Sequence, residues 1–167
     1  MGQLPVTQLI SHLKRVSSST AWNLFGNGCI QHRVKRTNPF PSLSLLLPDD
    51  IVEDTDEKVA SYWKHGDTCL LQISSFLREL GPQVSATQRL SERMRAGGDW
   101  QTISLPRTIE GCDIAGASTR DGQGTSWVHV YLVWDWLAVH ATVSHKGQVS
   151  TCDWAWSALF SIRPVVM

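Results

Sequence analysis

The sequence predicts an α+β fold, an antiparallel β-sheet of five to seven strands packed against two or three helices. Three observations predict it. Short apolar runs separated by proline, glycine and acidic clusters recur from Phe40 to Thr119. Two segments, 86–96 and 154–162, carry apolar residues at helical spacing. The stretch from Trp127 to Ser144 alternates so strictly that it reads as a two-stranded hairpin with one wholly apolar face.

Taken in order, residues 1–38 form the least organised part. Leu4, Leu9, Ile10, Leu13 and Val16 have loose helical spacing that Ser17–Thr20 interrupts, and a basic run leads to Asn38-Pro39. This reads as a weakly helical or flexible arm, with a single α+β domain over 39–167. Leu43–Leu47, closed by Pro48, suits a strand, and Asp49–Glu57 reads as an acidic loop. Tyr62-Trp63 and Cys69–Phe76 supply further strand material on either side of the turn-like His65-Gly66-Asp67.

Gly81-Pro82 breaks the chain before Ser85-Ala86-Thr87-Gln88. That tetrapeptide is a capping box: the Ser hydroxyl accepts from the Gln amide while the Gln side chain reaches back. Leu90 and Met94 share a side of the helix that follows, and Gly97-Gly98 ends it. Trp100–Leu105 and Ile114–Thr119 read as strands, and Arg120–Thr125 as a glycine-rich turn. Asp153 is the expected N-cap of a last helix whose stripe is Trp154, Ala155, Ala158, Leu159 and Ile162, stopped by Pro164.

Spacing says most in the hairpin. With Asp135-Trp136 at the turn, paired residues have numbers that sum to 271. One face then carries Val128, Val130, Leu132, Trp134, Leu137, Val139, Ala141 and Val143, all apolar. The other carries Trp127, His129, Tyr131 and Val133 opposite Ser144, Thr142, His140 and Ala138. A slip of one residue would bury His140 and Thr142 among the aliphatics, so the pattern itself specifies the register. Asp-Trp is a poor type I′ pair and leaves the loop conformation open.

Composition narrows the function. A chain of 167 residues, 42% hydrophobic and 18% charged, can bury a core without disulfides or metals. Zero net charge argues against an obligatory nucleic-acid partner, which would need a basic footprint. Charge is nonetheless uneven. Residues 1–48 hold five basic and no acidic groups, and 49–67 hold seven acidic against two basic. A basic tail beside an acidic surface loop accounts for this; a tail folded back on the loop, or held by an anionic partner, is the sharper alternative. No apolar stretch reaches the roughly 18–20 residues of a membrane span, and Ser11, His12, Lys14 and Arg15 interrupt any signal-type apolar run. Val6 stands where a myristoylation signal has Ser or Thr. The expectation is a cytoplasmic chain, with Cys29, Cys69, Cys112 and Cys152 as free thiols and no CxxC pair.

The outer hairpin face is the main candidate site. His129 and His140 are diagonal neighbours with Tyr131 between them and Trp127 at the end, their Cα atoms roughly 7–8 Å apart. A metal would need a third donor, which the sequence does not place: His145 falls on the opposite face. The ordinary reading is a half-buried face under a helix, with both histidines bonded to backbone or hydroxyls. A nucleophile from Cys112 or Ser118 with His129 and Asp121 has no local signature behind it, and Gly122 and Gly124 are too sparse for a phosphate loop. Trp156 and Phe160, spaced i to i+4, lie beside the core stripe and read as a broad core face or a partner surface. The core face is the usual meaning of that spacing; eight tryptophans, six from Trp100 onward, are core fillers that are also enriched where proteins bind partners.

The order of elements, with the closing Ala158-Leu159-Phe160-Ser161-Ile162-Arg163 segment, resembles the PsbP-like extrinsic photosystem subunits and the bacterial DcrB-like proteins over about Phe40–Val165. The resemblance implies a non-catalytic binding or assembly factor, by analogy of fold. The expected lack of a signal peptide departs from the exported members. The sequence therefore points to a non-catalytic cytoplasmic module that binds another protein: an assembly factor, an adaptor or an immunity-type inhibitor. Its binding residues would be Trp127, His129, Tyr131, His140, Trp156 and Phe160, with no cofactor, metal or membrane, and a homodimer among its assemblies. The rivals are a small hydrolase or metal-dependent enzyme using His129 and His140, and a small-ligand carrier with a closed apolar pocket.

Overall fold

A computed structural model describes residues 33–78, 82–105, 109–147 and 152–165. Among these are ten strands and two helices, in two antiparallel sheets. The larger sheet has the order β3 (Ile51–Thr55), β4 (Ala60–Lys64), β5 (Cys69–Leu77), β9 (Leu137–His145), β8 (Ser126–Val133), β7 (Asp113–Arg120), β6 (Gln101–Ile103). The smaller joins β1 (Val34–Phe40), β2 (Leu43–Pro48) and β10 (Arg163–Pro164). Helix α1 (Ala86–Arg95) packs on β7 and β8, and α2 (Asp153–Phe160) on β2, β5 and β9.

The β8–β9 hairpin has the register the alternation requires. Trp127 pairs with Ser144, Tyr131 with His140 and Val133 with Ala138. The Trp134 amide donates to the Leu137 carbonyl at 2.8 Å, closing a two-residue loop at Asp135-Trp136. All eight residues of its apolar face are buried. That face, the aliphatics of β2 and the apolar residues of α2 form one core cluster, so the smaller sheet and α2 cover one side of the larger sheet. Burying each such side chain stabilises by roughly 1.5–3 kcal/mol. We call this covered side the first face and its reverse the second.

Four expectations change. The arm does not extend to residue 38, because 34–38 already belong to β1, paired with β2. Pairing skips between Thr37 and Phe40, where Pro39 has no N–H to give the ladder. Residues 1–32, with the weak helix read there and Cys29, lie outside the described residues. The acidic segment 49–57 is not a loop. Its centre is β3, an edge strand whose Glu53 turns inward toward Tyr62 and Thr37, accepting from both hydroxyls at 3.2–3.4 Å. The Trp100–Leu105 strand is shorter than its apolar run, only Gln101–Ile103. The N-cap of α2 is Cys152, without a side-chain cap, and Asp153 is the first helical residue.

The C-terminal ALFSIRP segment locks α2 to the smaller sheet. Ser161 Oγ accepts from the Leu46 amide at 2.8 Å and donates to the Ala158 carbonyl at 2.6 Å. The Arg163 guanidinium donates to the Phe160 and Ile162 carbonyls, satisfying groups the helix end leaves open. No described helix is long and apolar enough to cross a membrane.

Candidate functional site

The second face is built around a column of rings. Alternation along β8 and β9 turns His129, Tyr131 and His140 to the same side, and the Tyr131–His140 pair sets their rings 4.5 Å apart at 14°. His129, one pair along the ladder, stacks on His140 at 5.3 Å and 13°. Its Nδ1 lies 3.1 Å from His140 Nε2, so one nitrogen carries the proton and the other accepts it. Trp100 closes the column edge-on against His129 at 5.0 Å.

Trp100 is held there by the turn after α1. Its indole N–H donates to the Gly97 carbonyl at 2.9 Å. Gly98 sits at φ 120°, and a Cβ there would meet the indole nitrogen at 3.0 Å, so glycine alone fits both the backbone and the ring. The capping box begins α1 as expected: Ser85 Oγ accepts from the Gln88 amide at 3.1 Å and Gln88 Oε1 from the Ser85 amide at 2.8 Å. The Asp113 carboxylate takes the Ala86 amide at 2.8 Å, anchoring the helix start to β7.

Burial dominates the electrostatics. It depresses the His129 imidazole to about 4, with Arg93 on α1 adding to the effect. Burial likewise brings His140 to about 4, helped by the neighbouring His129 and by Arg93. Burial raises the Tyr131 phenol. Both imidazoles are therefore neutral at pH 7, sharing one internal hydrogen bond. Among the described residues, no group of three or more His, Cys, Asp or Glu side chains able to hold a metal is assembled.

The remaining sequence candidates fall elsewhere. Trp127 lies beside the column on the same face, its indole donating to Asp121 at 3.2 Å. That carboxylate also accepts from the Gln123 and Thr125 amides at 2.9 Å, so it organises the glycine-rich turn and stands apart from His129. Ser118 pairs with Val128 and thus has the opposite parity to His129. Burial pushes the Cys112 thiol up to about 11. These groups do not form a nucleophilic constellation. Trp156 and Phe160 are not a surface. Their rings stack at 6.2 Å inside the core, because six of the eight residues of α2 are buried apolar ones and the helix has the larger sheet on one side and β2 on the other.

Sequence reasoning missed the other half of the second face. Helix α1 lies over β7 and β8, and the strands from β9 to β3 continue beyond it. There Val52, Trp63 and Leu70 are only partly buried and Phe76 is 52% exposed. Ser61, Gln72, Ser74 and Thr142 lie between them in register, with the exposed Asp54 opposite Ser61 at the sheet edge. The alternation of Leu70, Gln72, Ser74 and Phe76 could have shown this face, but reading Cys69–Phe76 as one apolar run concealed it.

No family model matches this chain, and no curated protein matches it. Among solved structures, one from Bacteroides thetaiotaomicron is 14% identical, covering 74% of this chain and 45% of that chain, with a TM-score of 0.46. This chain thus spans less than half of that neighbour.

Proposed function

We propose that this protein is a non-catalytic binding module whose partner is another protein seated on the open half of the second face. The carrying observation is a sheet surface that no described element covers, on which Val52, Trp63 and Leu70 form one row across β3, β4 and β5 and Phe76 stands further along β5, past Gln72 and Ser74. Large exposed apolar side chains grouped on one face mark interaction surfaces in folded proteins, whereas scattered ones do not. The side chains between Leu70 and Phe76 are uncharged and Asp54 stands at the edge opposite Ser61, so the fitting partner presents a mainly apolar surface. The element order that resembles PsbP-like and DcrB-like proteins implies the same class.

The histidine column supports the reading from the other side. His129 and His140 direct ring nitrogens at each other, which suits a rigid platform under α1 and beside the open rows. A photo-crosslinking residue at position 76 of the full chain, with position 95 on α1 as control, tests it. The expected result is one defined protein adduct from position 76, absent from position 95 and lost on Leu70→Lys without a fall in Tm. Equal labelling from both positions, or an adduct indifferent to Leu70→Lys, overturns it. Adducts only between copies of the chain would replace the partner by a homodimer.

A further inference from the structure

Cys69 opens β5 and Cys152 caps α2, far apart in sequence and both essentially unexposed. The Cys152 side chain is the first influence on the Cys69 thiol, so the two side chains are neighbours. The contact is bracketed by a second one: two residues before Cys69, the Asp67 carboxylate accepts from the indole N–H of Trp154, two residues after Cys152, at 3.1 Å. Asp67 also accepts from the Thr68 and Cys69 amides at 2.6 and 3.2 Å, fixing the backbone that presents Cys69. The head of β5 and the start of α2 are thus held together independently of the sulfurs.

We propose that Cys69 and Cys152 form a disulfide when the chain folds in an oxidising medium, stapling the uncapped start of α2 to β5. Two neighbouring buried thiols on segments already tied together by the Asp67–Trp154 hydrogen bond have the backbone proximity that a disulfide requires. The oxidant is a low-molecular-weight disulfide, RSSR. One cysteine thiolate attacks RSSR and expels RS⁻, leaving a mixed disulfide on the protein. The second thiolate attacks the protein-bound sulfur, forms the Cys69–Cys152 bond and expels the second RS⁻. Two electrons pass from the cysteines to RSSR, and the two cysteine protons end on two RSH.

Timing follows from the surroundings. In the folded reduced protein the Cys69 thiol is held protonated, first by its contact with Cys152, then by burial and the nearby Asp67 and Asp153 carboxylates. A protonated buried thiol does not attack a disulfide, so oxidation belongs to the folding chain. The bond closes the loop from residue 69 to 152 and restricts the unfolded ensemble strongly. In a reducing cytosol the same pair stays a dithiol packed in the core.

The test refolds the full chain from denaturant in a buffer of oxidised and reduced glutathione, then alkylates it and maps the peptides. The expected product is two hydrogens lighter, links Cys69 to Cys152, and melts several degrees above the same protein reduced. A Cys29→Ser/Cys112→Ser chain forms the same bond, whereas adding Cys152→Ser abolishes it. Full alkylation of Cys69 and Cys152 after refolding, a bond to Cys29 or Cys112 instead, or a Tm lowered by the linkage overturns the proposal. The Cys29→Ser/Cys112→Ser chain keeps both core thiols, so the test does not depend on a variant that fails to fold.

Discussion

The imidazoles of His129 and His140 face each other across adjacent strands, with Nδ1 of one 3.1 Å from Nε2 of the other and the rings stacked within 13° of parallel. Such a pair is stable only while at least one ring is neutral. A second proton would remove the acceptor and leave two buried like charges in contact, with Arg93 nearby.

Stability should therefore fall on acidification. Unfolded imidazoles take up protons as pH drops through about 6.5, and the folded pair only near about 4. Between these values the unfolded state binds more protons, so the stabilisation is complete above about 6.5 and lost as pH falls through 4. His145, lowered by burial, adds in the same direction. Discounting for the partial exposure of His140, the loss is on the order of 2–4 kcal/mol. Urea denaturation from pH 7.5 to 4 measures it. His129→Gln/His140→Gln should flatten much of the slope, and an unchanged slope would refute this account.

The two faces should respond unequally to truncation. Leu132 is fully buried in the main core, and Leu132→Ala should cost about 2–5 kcal/mol. Phe76→Ser on the open rows should cost less than about 1 kcal/mol, since the ring is already half in water. Denaturant midpoints with unchanged m-values would check both.

Gly116 of β7 tolerates little. A Cβ there would lie 3.1 Å from Ile103 and 3.3 Å from Leu105, which pack over it from β6 and the residues after it. Gly116→Val should cost about 1–3 kcal/mol by forcing those side chains aside. Loss of protection at the β6 amides in hydrogen exchange, with β8–β9 unaffected, would locate the damage.

Removing the capping box should loosen the cover over the histidines. Ser85→Ala frees the Gln88 amide and should cost about 1 kcal/mol. Because α1 packs on β8 and its Arg93 acts on both rings, the apparent pKa of both, followed by NMR, should rise toward 6.5 as the helix start frays. A stability loss with unmoved histidine titration would mean that α1 does not control their burial.

How much of this was legible depended on what each residue faced. The β8–β9 register could be read because eight positions of one parity are apolar and a slip would bury His140. The capping box could be read because its two hydrogen bonds are local. Edge strand β3 could not. An edge needs charge to discourage further pairing, and Glu53 and Asp54 in that role look like a loop. The two-residue β10 leaves no periodic trace. Trp156 and Phe160 looked available because a helix is expected to bury one stripe, and nothing local reveals that α2 has a sheet on either side. The open rows of the second face depend on where α1 stops, which is a tertiary fact.

Strand β2 takes its second neighbour from β10, with Leu43 opposite Pro164 and Ser44 opposite Arg163. During synthesis, Leu43, Leu45 and Leu47 leave the ribosome long before the segment that shields them. Translation at roughly 5–20 residues per second leaves that aliphatic strip waiting for seconds. Until β10 emerges, that strip stands without its second edge partner.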